Sequence, residues 1–136
     1  MYLVDTSVWI DYIQGRETDA VQFLDELLSN PLAVNLSDYI YLEILQGAKN
    51  EQSFETLQRY FSGQRFCCFE DARESHASAA RIYFDCRRNG ITVRSSIDCL
   101  IAQCALENSL VLLHQDRDYI KIQSVLPALE QKHFLK

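Results

Sequence analysis

Four acidic residues of this chain stand where acids are not expected. Asp5 directly follows the apolar run Tyr2-Leu3-Val4, and Asp116 follows Leu110-Val111-Leu112-Leu113 after His114-Gln115. Both therefore fall where segments that read as buried strands come to an end. Glu43 is the only charge in Tyr39-Ile40-Tyr41-Leu42-Glu43-Ile44-Leu45, whereas a solvated helix face usually offers several. Asp98 lines up at helical spacing with Ile101, Ala102 and Ala105, the apolar stripe of its own segment. Each acid has an ordinary explanation. Asp5 and Asp116 suit helix caps, and Asp98 suits the first turn of a helix, where the dipole favours negative charge. Capping explains the position of Asp98 but not its inward direction. The nearest bases in sequence, Arg94 and Arg117, show no pattern that aims them inward, and two arginines do not neutralise four acids. Converging carboxylates repel one another and their pKa values rise. A divalent cation relieves this, and ligands that are all oxygen favour Mg²⁺ or Mn²⁺ over zinc. Two such ions would activate a water and stabilise a leaving oxygen in phosphodiester cleavage.

The elements needed to position these acids are legible in the pattern. Strands are expected at 2–4, 32–36, 65–69 and 110–113, with a last edge strand near 133–135. Helices are expected from Thr6-Ser7 to Ile13, stopped by Gly15, and over 18–28, 39–46, 52–61, 72–88 and 97–107, with a short one near the C-terminus. Ser37 caps and Gly47 closes the 39–46 helix. In the long 72–88 helix, Ala79, Ala80, Tyr83 and Phe84 are the expected inward positions. Short apolar strands alternating with longer helices specify an α/β fold, a central, mostly parallel sheet flanked by helices. Sites in such sheets form beyond the carboxyl ends of the strands, where Asp5 and Asp116 stand.

At 136 residues the chain suits one domain, 1–136. No apolar run approaches the roughly 20 residues of a membrane span, and an acid so close to Met1 does not suit a signal peptide. A cytoplasmic protein with no membrane partner is expected. The five cysteines have no CxxC spacing and read as reduced core residues, with Cys67 and Cys68 on opposite faces of a strand. The net charge of −6 opposes nucleic-acid binding, but Arg87, Arg88 and Arg94 form an acid-free basic stretch that leads to Asp98. Contact with RNA and a solvated surface weigh equally for these arginines. His114 borders the acidic loop and reads more as structural than as a phosphate contact.

Four segments together resemble VapC-type PIN domains. Leu3-Val4-Asp5-Thr6-Ser7-Val8-Trp9-Ile10-Asp11 looks like the family's opening, and Leu42-Glu43-Ile44-Leu45-Gln46-Gly47 like its second motif. Arg94-Ser95-Ser96-Ile97-Asp98-Cys99-Leu100-Ile101-Ala102 resembles the third, and Leu112-Leu113-His114-Gln115-Asp116-Arg117-Asp118-Tyr119 the fourth. They occur in family order over most of the chain. The resemblance implies a PIN fold and a metal-dependent endoribonuclease that cleaves cellular RNA, as the toxin of a type II toxin–antitoxin system. It implies a homodimer and a VapB-like antitoxin. Asp5, Glu43, Asp98 and Asp116 carry over as catalytic metal ligands for Mg²⁺ or Mn²⁺. Thr6 or Ser7 would orient Asp5 or a metal-bound water, and Asp118 would touch metal or hold the loop. Tyr119 stands where phenylalanine is more usual, a departure expected to leave the pocket intact.

Competing readings fare worse. A haloacid-dehalogenase-like enzyme wants a second aspartate where Ser7 stands, and a response-regulator receiver wants paired early acids and a lysine where His114-Gln115 follows the late strand. The remaining alternatives are a catalytically silent PIN-like binding module, which the presence of all four acids disfavours, and a housekeeping RNA-processing nuclease.

Overall fold

The computed structural model describes residues 1–136. The strands are β1 (Tyr2–Val4), β2 (Val34–Leu36), β3 (Arg65–Phe66), β4 (Val111–Leu113) and β5 (Gln131–Lys132). The helices are α1 (Thr6–Ile13), α2 (Asp19–Leu27), α3 (Asp38–Gln46), α4 (Glu51–Ser62), α5 (Ala72–Arg88), α6 (Ser96–Glu107) and α7 (Arg117–Gln123). The sheet runs β3-β2-β1-β4-β5, and every neighbouring pair is parallel. No helix is long and apolar enough to cross a membrane.

Strand order dictates where a site can form. The chain starts at the sheet centre, builds outward through β2 and β3, then returns to add β4 and β5 on the other side of β1. The connections leaving β1 and β4 therefore diverge, and a crevice opens beyond their carboxyl ends. Asp5 follows β1 and Asp116 follows β4 by three residues, so both lie at that crevice.

Short central strands hold because they are fully covered. Leu3, Val4, Leu112 and Leu113 are all completely buried, each contributing about 1.5–3 kcal/mol of apolar burial. Trp9 from α1 is also fully buried and packs edge-on against Phe61 of α4 (ring centroids 4.8 Å) and Tyr12 (5.7 Å). Polar caps set the helix starts: Thr18, Ser37, Asn50, Asp71 and Ser95 each accept a backbone N–H from the following turn. Gly15 and Gly90 close α1 and α5 at φ of 73° and 70°, a conformation that favours glycine.

Three local expectations are corrected. β3 is only Arg65–Phe66; beyond it the Cys67 N–H still reaches the Leu36 carbonyl at 2.8 Å, but the chain then turns toward α5. Cys67 is buried and Cys68 exposed, as expected, though outside the strand. The edge strand is Gln131–Lys132 rather than 133–135, because β4 pairs with polar residues there and Phe134 packs on Phe23 instead. In α5 the inward positions are Ser75, Ala79, Ile82 and Cys86. Ala80 and Phe84 face solvent, with Phe84 lying under Arg81 and Arg88 (5.2 and 5.6 Å). A polar Ser75 at the head of the buried stripe disguised its phase.

Candidate metal centre

Each acid is aimed by its local backbone. The Asp5 N–H donates to the Leu113 carbonyl at 2.9 Å, so the residue remains tied to β4 after β1 has ended. Its carboxylate caps α1, accepting from Ser7 N (3.1 Å) and Ser7 Oγ (2.6 Å). Ser7 Oγ in turn accepts from the Gln115 N–H at 3.1 Å, which pins the loop after β4 to the start of α1. Thr6, the neighbouring hydroxyl, serves a different acid: its Oγ1 donates to Glu43 Oε1 at 2.9 Å. Consecutive residues at one helix start thus hold two carboxylates from different elements.

The α7 side is built around His114, which is completely buried. Its Nδ1 accepts from the Asp116 N–H at 3.1 Å, leaving Nε2 to donate to Gln131 Oε1 at 2.7 Å. Burial holds its pKa below the ordinary value, so the ring stays neutral. His114 shapes the loop and does not reach into the crevice as a free base. Asp116 then caps α7 by accepting from Asp118 N at 2.9 Å.

Tyr119 is fully buried beneath the site, and its hydroxyl donates to Asp5 Oδ1 at 2.8 Å while lying 3.4 Å from Asp98 Oδ1. This is the residue whose role the sequence did not disclose. The signal was present in its departure from phenylalanine, which adds a hydroxyl at the floor of the acidic crevice.

Asp98 sits in the first turn of α6, half-buried, and faces the crevice as its helical phase implied. It has no basic partner. Burial raises its pKa first, and the charges of Asp5, Asp116, Asp118 and Glu43 add to this, bringing it to about 7. Glu43 is also raised, chiefly by burial and further by Asp5, against the lowering effect of the Thr6 hydrogen bond.

The arginine expectation is corrected. Arg94 is turned to the acids: Nε bonds Asp118 Oδ2 and Nη2 bonds Asp116 Oδ1, both at 3.0 Å, and its backbone N–H reaches Asp118 Oδ2 at 3.2 Å. The coiled approach to α6, 91–95, places it there, a geometry no periodicity encodes. Burial works to raise the Asp118 carboxyl, but Arg94 and Lys121 outweigh it and hold it below its ordinary value. Arg117 points away and donates to the Lys136 carbonyl. Arg87 and Arg88 lie on the exposed last turn of α5, stacked on Tyr83 and Phe84 rather than among the acids.

The donor set fits a hard cation. Asp98, Asp116 and Asp118 each offer a carboxylate oxygen, and these atoms lie within 4.8 Å of one another. Asp5 and Glu43 border them closely enough to raise the Asp98 pKa. One arginine and one lysine stand against five carboxylates, which leaves charge for a divalent ion to neutralise.

Comparison with known proteins settles the family. The PIN domain family model matches residues 2–125. The chain belongs to the PIN-domain family. It is similar to the VapC ribonuclease Mb1587 of Mycobacterium bovis and to ribonuclease VapC11 of Mycobacterium tuberculosis, 38% identical to each over 120 residues, covering 88% of this chain and 89% of the relative. Solved structures share the fold at lower identity. DNA-bound VapBC from Salmonella typhimurium superposes with a TM-score of 0.73 at 18% identity, covering 97% of this chain and 96% of that one. FitAcB from Neisseria gonorrhoeae gives 0.72 at 19%, covering 96% of both. The α/β architecture anticipated from the strand–helix alternation is therefore the PIN fold, and the crevice described above is the acidic crevice of a PIN domain.

Proposed function

We propose that this PIN domain is a metal-dependent endoribonuclease, the toxin of a toxin–antitoxin pair, with Asp5, Glu43, Asp98 and Asp116 as its Mg²⁺ or Mn²⁺ ligands. One observation carries the reading: four acids from three elements surround Asp98, which has no cationic partner of its own. Such an arrangement costs stability unless a cation joins it. When bound, the ion would supply Lewis-acid stabilisation and an activated water for phosphodiester hydrolysis.

The protein's own residues then have defined tasks. Ser7 and Tyr119 hold the two oxygens of Asp5 in place, and Thr6 holds Glu43. Asp118 orients the loop by binding Arg94 and faces the same cluster as Asp98 and Asp116. Arg94, with a side chain 72% exposed, stands at the mouth and is placed to meet an incoming phosphate. Arg87 and Arg88, in the exposed last turn of α5, would contact the RNA backbone. The similarity to VapC ribonucleases supports RNA as the substrate, and the likeness to VapBC complexes supports a VapB-like antitoxin; the same reading takes the protein as a homodimer acting in the cytoplasm.

Cleavage of total RNA with Mn²⁺, with EDTA, and by the Asp98→Asn variant tests this. Cleavage undiminished in EDTA would overturn the metal-dependent reading. A folded protein that binds RNA but never cuts it would be the silent module. Growth arrest on expression, relieved by the co-expressed antitoxin, separates a toxin from a housekeeping nuclease.

A further inference from the structure

Two cysteines that the nuclease site does not use are brought together by the fold. Cys67 leaves β3 with its backbone bonded to the Leu36 carbonyl, and Cys104 lies in α6. Their Sγ atoms are 2.9 Å apart, although 37 positions separate them in the chain. Both are free thiols, and both line a groove of about 510 Å³ whose walls include Leu42, Phe69, Leu100 and Ile101. The groove reaches the surface at Leu42 and Cys68, both exposed. None of the carboxylates of the metal centre lines it.

We propose that Cys67 and Cys104 form a redox modification site that closes to an intrachain disulfide on reaction with hydrogen peroxide and reopens with thiol. The pair has a built-in division of labour. The two thiols share one S–H···S contact in which either can donate, but Cys67 is the more accessible, 8% exposed against 3% for Cys104, and it leaves a strand end next to the exposed Cys68 while Cys104 is held inside α6. Cys67 is thus the attacking sulfur. Its thiolate attacks one peroxide oxygen; an S–O bond forms, the O–O bond breaks, and the departing hydroxide takes a proton to leave as water. The resulting sulfenic acid meets Cys104 directly. The Cys104 sulfur attacks Cys67 Sγ, the S–S bond forms, and the S–O bond breaks. The released hydroxide takes the Cys104 proton as a second water. Two thiols lose two electrons and one peroxide gains them.

The other cysteines are poorly placed for this. Cys86 and Cys99 are buried, and burial raises both, Cys99 to about 12. Cys68 is exposed but adjacent to Cys67 in sequence. A Cys67–Cys104 link would tie the exit of β3 to α6, the helix that carries Asp98 less than two turns earlier.

The test uses the full chain, metal-free, treated with a small excess of hydrogen peroxide and then digested without reduction. The expected result is loss of two of the five thiols, an intact mass lower by two hydrogens, and a Cys67–Cys104 cross-linked peptide. The melting temperature should rise by roughly 5–15 °C and return with dithiothreitol. Cys68→Ser should close the link as the wild type does, and Cys104→Ser should trap a Cys67 sulfenic acid that reacts with dimedone. Five intact thiols, oxidation confined to Cys68, or a Cys68-linked dimer would overturn the proposal. Should Cys104→Ser fail to fold, the wild-type peptide map decides alone.

Discussion

The Tyr119 hydroxyl donates to Asp5 Oδ1 at 2.8 Å from a fully buried ring, and the same oxygen lies 3.4 Å from Asp98 Oδ1. The single hydroxyl proton is given to Asp5, with Asp98 at the edge of hydrogen-bond range of the same hydroxyl, so the phenol sits between two carboxylates that otherwise repel. Tyr119→Phe removes only that oxygen. In EDTA the variant should lose about 1–3 kcal/mol, the usual cost of leaving a buried acceptor unsatisfied. With saturating Mn²⁺ the loss should shrink, because a cation takes over the same oxygens. Denaturant melts under both conditions check this. An equal loss with and without metal would mean the hydroxyl matters to packing and not to the acid pair.

Charge at the ligand positions should matter more than shape. Asp5→Asn keeps the volume and one acceptor oxygen, yet removes the negative charge that Ser7 and Tyr119 hold in place. RNA cleavage with Mn²⁺ should fall on the order of 10²-fold or more, as when a principal electrostatic stabiliser is removed. The measurement is initial rate on a defined RNA, with circular dichroism confirming the fold.

Much of this centre is legible in the amino-acid sequence. Asp5, Glu43, Asp98 and Asp116 each break a local pattern, and strand–helix alternation places two of them at strand ends. Periodicity also recovers the extent of α5, though not its inward face, and the inward direction of Asp98. What it misses depends on contacts across the chain. The Arg94 bonds to Asp116 and Asp118 span 22 and 24 positions, and the Tyr119 bond to Asp5 spans 114. The edge strands slip because β3 and β5 are two residues each, too short for a period of two to register.

Arg94 should have opposite effects on the two partners of the site. Its guanidinium neutralises Asp116 and Asp118, and a cation binding there would have to displace it in part. Arg94→Ala should therefore tighten Mn²⁺ binding by a few-fold while weakening RNA binding. Arg87→Ala with Arg88→Ala should weaken RNA alone and reduce the salt slope by roughly one for each phosphate no longer neutralised. Calorimetry with Mn²⁺ and filter binding across a salt series separate them. Unchanged RNA affinity in both variants would make these arginines a solvated surface or an antitoxin contact.

Asp98 gives the metal-free protein a distinctive pH dependence. Its carboxyl is near the ordinary value of 3.8 when unfolded and about 7 when folded. Between those values the folded state holds a proton that the unfolded state has lost, so this group's contribution falls as pH rises through the window. Its penalty is absent below about 3.8 and complete above about 7. Neutral, buried His114 acts oppositely: its pKa is depressed on folding, so the stability linked to it is full above its ordinary value of 6.5 and lost as pH falls through the folded value. A single melt series mixes the two, but Asp98→Asn removes one and leaves the other. In EDTA at pH 8 the variant should melt at or above the wild type, since Arg94 is engaged with Asp116 and Asp118 rather than with Asp98. At pH 5 the folded carboxyl is already protonated and only part of the penalty remains, so that advantage should shrink; the favourable charge at the start of α6, worth about 0.3–1 kcal/mol, opposes it only where Asp98 is ionised, at pH 8. Saturating Mn²⁺ should reverse the order at pH 8, because a ligand at a hundredfold excess over its dissociation constant adds about 2.7 kcal/mol to the protein that binds it best. An Asp98→Asn protein clearly less stable than wild type in EDTA at pH 8 would show that helix-start electrostatics outweigh carboxylate repulsion, and that the acidic cluster carries less strain than its geometry implies.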